Sequence, residues 1–457
     1  MEDQQKEKFN RMTTESVGRL ICELAVPCVI SMLVTSVYNM ADTYFVGKLN
    51  SNSATGAVGV VFSLMAVIQA IGFFFGHGSG NYISRELGAQ DRDEARRMSS
   101  TGFTLALLAG AALCVLGEIF LTPLADLLGA TPTILPYAKD YMRIILIGAP
   151  WMTASLVLNN QLRFQGSAAY GMVGISAGAV LNIGLDPVFI FVLDMGVAGA
   201  ALATVLSQFA SFCLLLWQCG RGGNLRPRFR ETQMKLFYLR EIVRGGLPSL
   251  ARQGLASLAA VCLNRSARGY GDAVIAAMAV VTRVMMFGGS ALIGFGQGFQ
   301  PVCGFNYGAK LYHRVRQGFW FCVKWGTAFL AVVCALGLAF APEMVALFRN
   351  DPEVVRVGAL ALRCQCVGFL LSGWVVISNM TLQTIGDTGP ATFLAAARQG
   401  VFFIPAVLVL PRLLDLWGVI LAQPAADILS FITAVPLMLR ALRRMKTAAA
   451  DAECGNS

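Results

Sequence analysis

Long, almost uncharged apolar stretches recur along this chain of 457 residues. Most run for about 20 residues or more, which is the length an α-helix needs to cross a hydrocarbon layer of about 30 Å. Charged residues make up only 14% of the sequence, whereas soluble domains carry about 25%. The pattern predicts an all-α integral membrane protein with twelve transmembrane helices, and it argues against an ordinary soluble enzyme.

The formal net charge of +10 is concentrated in a few segments of the chain. Lys and Arg cluster before residue 20, between residues 221 and 244, and after residue 439. Positive charge in alternate loops is typical of the cytoplasmic side of a membrane protein. We therefore expect a multi-pass membrane protein with both termini in the cytoplasm. Nucleic acid is not an expected partner, because no basic element interleaves with exposed aromatic residues.

Sequence features repeat at a spacing of about 220 residues, a spacing that indicates duplication of a six-span unit. Pro27 corresponds to Pro248, Gly76-His77-Gly78 to Gly296-Gln297-Gly298, and Asn159 to Asn379. An even number of spans per unit predicts parallel repeats, with a cavity between two pseudo-symmetric six-helix lobes that suits alternating access. The repeated glycines are better explained by close helix packing than by nucleotide binding.

The predicted organisation has five parts along the chain. They are a cytoplasmic N-terminal segment (1–19), an N-lobe (20–220), a cytoplasmic linker (221–245), a C-lobe (246–440) and a cytoplasmic C-terminal tail (441–457).

Four polar residues of the first half are predicted to lie at a similar depth in the outer part of the membrane. They are Asp42, Asn182, Asp186 and Thr204. Ionisable groups inside spans are costly and therefore functional candidates. Oxygen ligands suit Na⁺, and neighbouring desolvated carboxyl groups can instead carry a proton. The set predicts a cation-coupling site, occupied either by Na⁺ or by H⁺.

Each of these residues also has a purely structural interpretation. Asp186 precedes Pro187 and could satisfy a helix kink, while Asp42 could be an interfacial residue near a helix end. Asn182 and Thr204 taken singly are more often helix-packing groups. In the second half, intramembrane charges could form ion pairs, line a cavity or snorkel, and a structural role is favoured for them: Arg252, Arg283, Arg363, Arg398 and Asp427.

Several segments resemble the multidrug and toxic compound extrusion (MATE) transporters over nearly the whole chain. Residues 39–47 (NMADTYFVG), 181–187 (LNIGLDP) and 196–204 (GVAGAALAT) are similar to signatures of the first, fifth and sixth helices of the family. Residues 296–301 and 306–309 resemble its bacterial MepA-like branch.

The resemblance implies export of organic, often cationic, compounds, driven by inward Na⁺ or H⁺. The family's cation network maps onto the four residues already chosen by depth. Weaker candidates, for the substrate cavity, are Asn39, Tyr141, Arg252 and Arg283. This chain departs from the NorM-type branch, because Ala256 and Ser372 stand near positions where that branch has carboxylates. A second-lobe cation site of that type is therefore not expected.

The expected partners are small organic substrates and the lipid bilayer, with a monomeric protein and no cofactor besides the coupling ion. The main alternative is a lipid-linked oligosaccharide flippase of the related superfamily, for which Arg252, Arg283 and Arg398 would supply the cationic cavity. An integral-membrane enzyme is disfavoured, since no acidic or histidine cluster stands at a membrane face.

Overall fold

The computed structural model describes residues 2–48 and 52–454, and within these ranges the chain forms helices and no strand. The first half contains α1 (Glu2–Thr14), α2 (Val17–Gly47), α3 (Asn52–Gly88), α4 (Arg92–Ile119), α5 (Leu121–Leu127), α6 (Leu135–Phe164), α7 (Ala168–Pro187) and α8 (Gly196–Gln218). The second half contains α9 (Leu236–Ala267), α10 (Asp272–Gly308), α11 (Tyr312–Ala339), α12 (Ala341–Phe348), α13 (Pro352–Phe369), α14 (Ser372–Ile385), α15 (Thr388–Ala396), α16 (Phe403–Leu414) and α17 (Leu416–Cys454).

Ten helices of the described ranges are long and apolar enough to cross a membrane, and the pair α13 and α14, bent by 49°, makes an eleventh. The remaining predicted span lies in α9, which is 32 residues long but carries Pro248, Arg252 and Gln253 in its apolar part. The all-helical membrane fold predicted from the sequence is confirmed. One predicted span, 354–380, is in fact broken between Phe369 and Ser372.

Two π-helical turns interrupt predicted spans. Val188–Val192 follows α7, and Ala397–Val401 joins α15 to α16. The first comes directly after Pro187, whose missing N–H removes a helical hydrogen bond. The second contains Arg398. π-Turns are frequent at functional sites, and each of these two adjoins or contains a charged residue, Asp186 or Arg398.

The chain divides into two compact units. The first comprises α1 and Ile30–Gly246, and the second comprises Glu15–Val29 and the residues from Leu247 onward. Two helices therefore contribute to both units: α2 divides next to Pro27, and α9 divides next to Pro248. The lobe boundaries read from the sequence stay a prediction.

Each unit has its own apolar core. In the first, α3, α4 and α8 pack around α6, whose buried side chains include Met142, Ile145 and Leu146. In the second, α10 and α17 each pack against α13, whose buried side chains include Leu362 and Phe369. These cores hold the polar groups of each unit in fixed positions.

Two of the repeated glycines, Gly78 and Gly298, lie where backbones approach closely. A Cβ on Gly78 would lie 2.4 Å from the carbonyl oxygen of Ile242 in the first unit. In the second unit, a Cβ on Gly298 would lie 2.5 Å from Cα of Ala25. Such distances exclude any side chain, so both positions serve close packing of α3 on α9 and of α10 on α2.

The polar N-terminal segment folds as α1, a helix that was not predicted from the sequence. Lys8 Nζ donates to Ser167 Oγ and to Asn224 Oδ1, each at 2.8 Å. Met12 is buried against Gly166. A short, strongly polar helix is marginal in isolation, so these tertiary contacts stabilise it.

Candidate cation site

The predicted cation-site residues lie on three helices of the first unit. Asn182 and Asp186 are four residues apart near the end of α7, a spacing that puts both side chains on one helix face. Thr204 lies in α8, which packs against α7. Asp42 lies in α2, within the part that belongs to the first unit.

The structure brings Asn182, Asp186 and Thr204 into direct contact, and all three are buried. In one orientation of the Asn182 amide, its nitrogen lies 3.4 Å from both Asp186 Oδ1 and Thr204 Oγ1. Rotating the amide by 180° matches donors to acceptors better. The nitrogen then donates to Asp186 Oδ2 at 3.1 Å, and the oxygen accepts from the Thr204 backbone N–H at 3.3 Å. Asn182 therefore connects the carboxylate to α8.

Two buried tyrosines complete the site. Tyr141 of α6 is 1% exposed, and its hydroxyl lies close to the Thr204 side chain. Tyr38 of α2 reaches the side chains of Thr204 and Gln208. Both hydroxyl groups lie near enough to interact electrostatically with the carboxylates of Asp42 and Asp186. Tyrosine hydroxyls both donate and accept hydrogen bonds, so they can adapt to a change of charge at the carboxylates.

Tyr38 and Gln208 were not among the residues chosen from the sequence. Each lies one helical turn from a chosen residue, Tyr38 before Asp42 and Gln208 after Thr204. The i, i+4 spacing is the signal that would have found them.

The Asp42 carboxylate is the least satisfied group of the site. Its side chain is half-buried, and its Oδ1 has no hydrogen-bond partner in the described ranges. The charge of Asp42 acts on Asp186. A desolvated carboxylate beside a second one is stabilised by a positive charge. The site can therefore take up a proton or a cation.

The weaker candidates from the sequence have different environments. Tyr141 belongs to the polar cluster just described, and Asn39 is half-buried next to Tyr38 in α2. Arg252 and Arg283 belong to the second unit, where Arg252 is half-buried and Arg283 is exposed. No group of three or more His, Cys, Asp or Glu side chains suited to a metal occurs within residues 2–48 and 52–454.

A single family model, described as MatE, matches residues 27–188 and again residues 248–408. Together these segments cover well over half of the sequence. The chain belongs to the MatE family. The two matches begin at Pro27 and Pro248, the pair that marked the repeat, so the predicted duplication is confirmed. Members of this family are transporters and not enzymes.

Named relatives and solved structures match nearly the full length. The multidrug export protein MepA of Staphylococcus haemolyticus is 28% identical over 421 residues, covering 92% of each chain. A crystal structure of a MATE protein in complex with MaL6 superposes with a TM-score of 0.90 at 26% identity, covering 96% of this chain and 99% of that one. The outward-facing structure of a multidrug resistance MATE family transporter of the MOP superfamily gives 0.90 at 25% identity, covering 96% and 98%.

Proposed function

We propose that this protein exports organic, often cationic, compounds by antiport with Na⁺ or H⁺ through alternating access. The family, the names of the relatives and the all-helical membrane fold support export. The observation that carries the coupling is the polar cluster of the first unit. There, two carboxylates, two side-chain amides and three hydroxyl groups lie together inside a membrane-embedded fold.

The coupling ion enters at the carboxylates. Asp42 Oδ1 lacks a donor among the described residues, and Asp186 is hydrogen-bonded by Asn182. An incoming proton or Na⁺ therefore neutralises the charge of the two carboxylates. Neutralisation changes the hydrogen-bond partners of the Tyr38 and Tyr141 hydroxyl groups. As a result, α2 moves relative to α7 and α8. Substrate is released by that rearrangement, because ion and substrate are not both held through the same transition.

The remaining features of the proposal concern placement. The protein is a monomer in the bacterial plasma membrane, with both termini and the 221–245 segment in the cytoplasm. The concentration of Lys and Arg in these segments supports this orientation. No cofactor is required, because the ion gradient supplies the driving force.

The proposal is tested with the purified protein reconstituted in lipid vesicles. A fluorescent cationic dye is loaded, and a Na⁺ gradient or a proton gradient is imposed separately. We expect one of the two gradients to drive dye movement, and collapse of that gradient by an ionophore to stop it. Failure of both gradients to move any of several cationic dyes would overturn the proposal.

A further inference from the structure

Arg252 lies on the inner face of α9. The outer face of this helix is an exposed apolar stripe, formed by Leu247, Leu250, Leu258 and Val261 at spacings of three, eight and three residues. Arg252 lies on the opposite side, together with the buried residues Ser249 and Ala259. Ser249 Oγ accepts a hydrogen bond from Gln383 of α14 at 2.9 Å. The Arg252 side chain therefore projects into the second unit rather than outward with the apolar stripe.

The second arginine of this region, Arg398, lies in the π-helical turn after α15. Its Nε donates to Asp427 Oδ1 at 2.7 Å, and Gln423 donates to the same oxygen at 3.0 Å. Asp427 is 2% exposed, whereas the Arg398 side chain is 25% exposed. The two terminal nitrogens of Arg398 have no partner within the described part of the chain. Asp427 therefore binds the guanidinium at Nε, and the two terminal nitrogens, here called the open edge of Arg398, are available to a ligand.

The two arginines lie on elements that touch. A Cβ on Gly400, two residues after Arg398, would lie 2.6 Å from Leu255, one turn after Arg252. Ala259 of α9 also packs in one cluster with Ala422 and Ala426 of α17, the helix that carries Asp427.

The positive charge of this region exceeds its negative charge. The apolar spans predicted for the second half are residues 246–268, 274–300, 318–341, 354–380, 391–411 and 417–440. Asp427 is the only acidic residue within these ranges, and it already pairs with Arg398. Arg252 has no ion pair or hydrogen bond with any residue in ranges 2–48 and 52–454. A desolvated charge inside a membrane protein normally has a partner or a function. An anionic ligand would supply the missing negative charge.

We propose that Arg252 and the open edge of Arg398 form a binding site for the carboxylate group of a zwitterionic or anionic organic substrate. The inference rests on the proposed export function and extends it to a substrate class. Guanidinium groups bind carboxylates through paired, charge-assisted hydrogen bonds. The charge of this site is opposite to that of the Asp42 and Asp186 carboxylates of the first unit.

The test uses two dyes that differ at one group. Rhodamine 110 carries a free carboxylate, and rhodamine 123 is its methyl ester. Binding of each to the purified full-length protein is measured by fluorescence anisotropy. We expect Arg252→Gln to weaken binding of rhodamine 110 by about tenfold or more, the usual cost of losing a hydrogen bond to a charged group. Binding of rhodamine 123 should change by less than about twofold. Arg252→Lys, which keeps the charge, should retain part of the discrimination.

Matched variants separate binding from folding. Arg363→Gln removes an exposed arginine of the same unit, whose Nε bonds the Leu338 carbonyl oxygen, and should leave both dyes unaffected. The double variant Arg398→Gln with Asp427→Asn removes the ion pair as a unit, so that no lone buried charge remains. It should lower the affinity for rhodamine 110 selectively.

Three results would overturn the proposal. One is equal weakening of both dyes by Arg252→Gln, which would indicate a structural role. Another is unchanged binding of rhodamine 110 in both arginine variants. The last concerns thermal stability in chloride and in gluconate. If chloride stabilises the wild type more than gluconate does, and Arg252→Gln removes this difference but still binds rhodamine 110, the site binds an inorganic anion. These measurements concern binding and are independent of vesicle transport. Failure of both gradients to move any of several cationic dyes would refute export without deciding the carboxylate site.

Discussion

Replacing Asp186 by Asn removes one negative charge from the cation site while preserving the size of the side chain. The new amide can still bond Asn182, so the contact between α7 and α8 through Asn182 and Thr204 remains possible. A cation held about 4 Å from a carboxylate gains about 4 kcal/mol at an effective dielectric constant near 20. Loss of that interaction corresponds to about a thousandfold weaker ion binding.

The assay measures dye efflux from vesicles as a function of Na⁺ or proton concentration at fixed dye concentration. Asp186→Asn should raise the half-saturating ion concentration by two to three orders of magnitude, or abolish the gradient-driven component within the accessible range. Asp140→Asn makes the same change of charge at an exposed position of the same unit and should behave as wild type. Thermal unfolding of the purified variant checks that the fold is retained.

An effect smaller than about tenfold on ion dependence, in a folded Asp186→Asn variant, would refute the reasoning. It would mean that Asp186 serves the kink at Pro187 and that the coupling charge lies elsewhere. A variant with normal ion dependence but a lower unfolding temperature would support that structural interpretation.

Three further predictions follow from other contacts. Asp42→Asn should abolish gradient-driven efflux while leaving dye binding measurable, and wild-type efflux by this variant would contradict the site. Gly78→Ala should lower the unfolding temperature, because the added Cβ meets the Ile242 carbonyl oxygen at 2.4 Å; Gly184→Ala, with no heavy atom within 4 Å, is the control in the same assay. Burial, reinforced by neighbouring Arg11, lowers the pKa of Lys8 from 10.5 to about 8. The undocked helix therefore binds more protons between these values, and docking should strengthen as pH rises from 8 to 10.5. Amide-exchange protection of α1, corrected for intrinsic rates, should rise across that window and lose this dependence in Lys8→Met.

Much of the architecture could be predicted from local sequence. Apolar runs of membrane-spanning length fix helices, because an unpaired backbone is too costly in lipid. The repeat from Pro27 to Pro248 was readable because duplication leaves small and kinking residues at equivalent positions. α1 escaped prediction because its stability comes from Lys8, Met12 and their partners on distant segments rather than from an apolar period of its own.

The membership of the cation site was readable in part. Asn182 and Asp186 share a helix face through their spacing, and topology puts Thr204 and Asp42 at a similar depth. Tyr38 and Gln208 were missed, since a tyrosine or glutamine in an apolar helix has no charge to mark it. The ion pair between Arg398 and Asp427 joins residues 29 positions apart, and no spacing rule connects two different helices.

The sequence by itself determined that this chain lies in a membrane, that it is duplicated and that its intramembrane carboxylates are few. Hydropathy, charge bias and repeated residues are local properties, and they need no knowledge of packing. Tertiary structure alone decided which polar groups meet. It placed Tyr38 and Tyr141 close to Thr204 and paired Arg398 with Asp427. Among the residues that the structure describes, it left Asp42 Oδ1 without a donor and Arg252 without an ion pair. The physical reason is that contacts between helices depend on how each helix is rotated in its bundle, and that rotation is set by the packing of all its neighbours together.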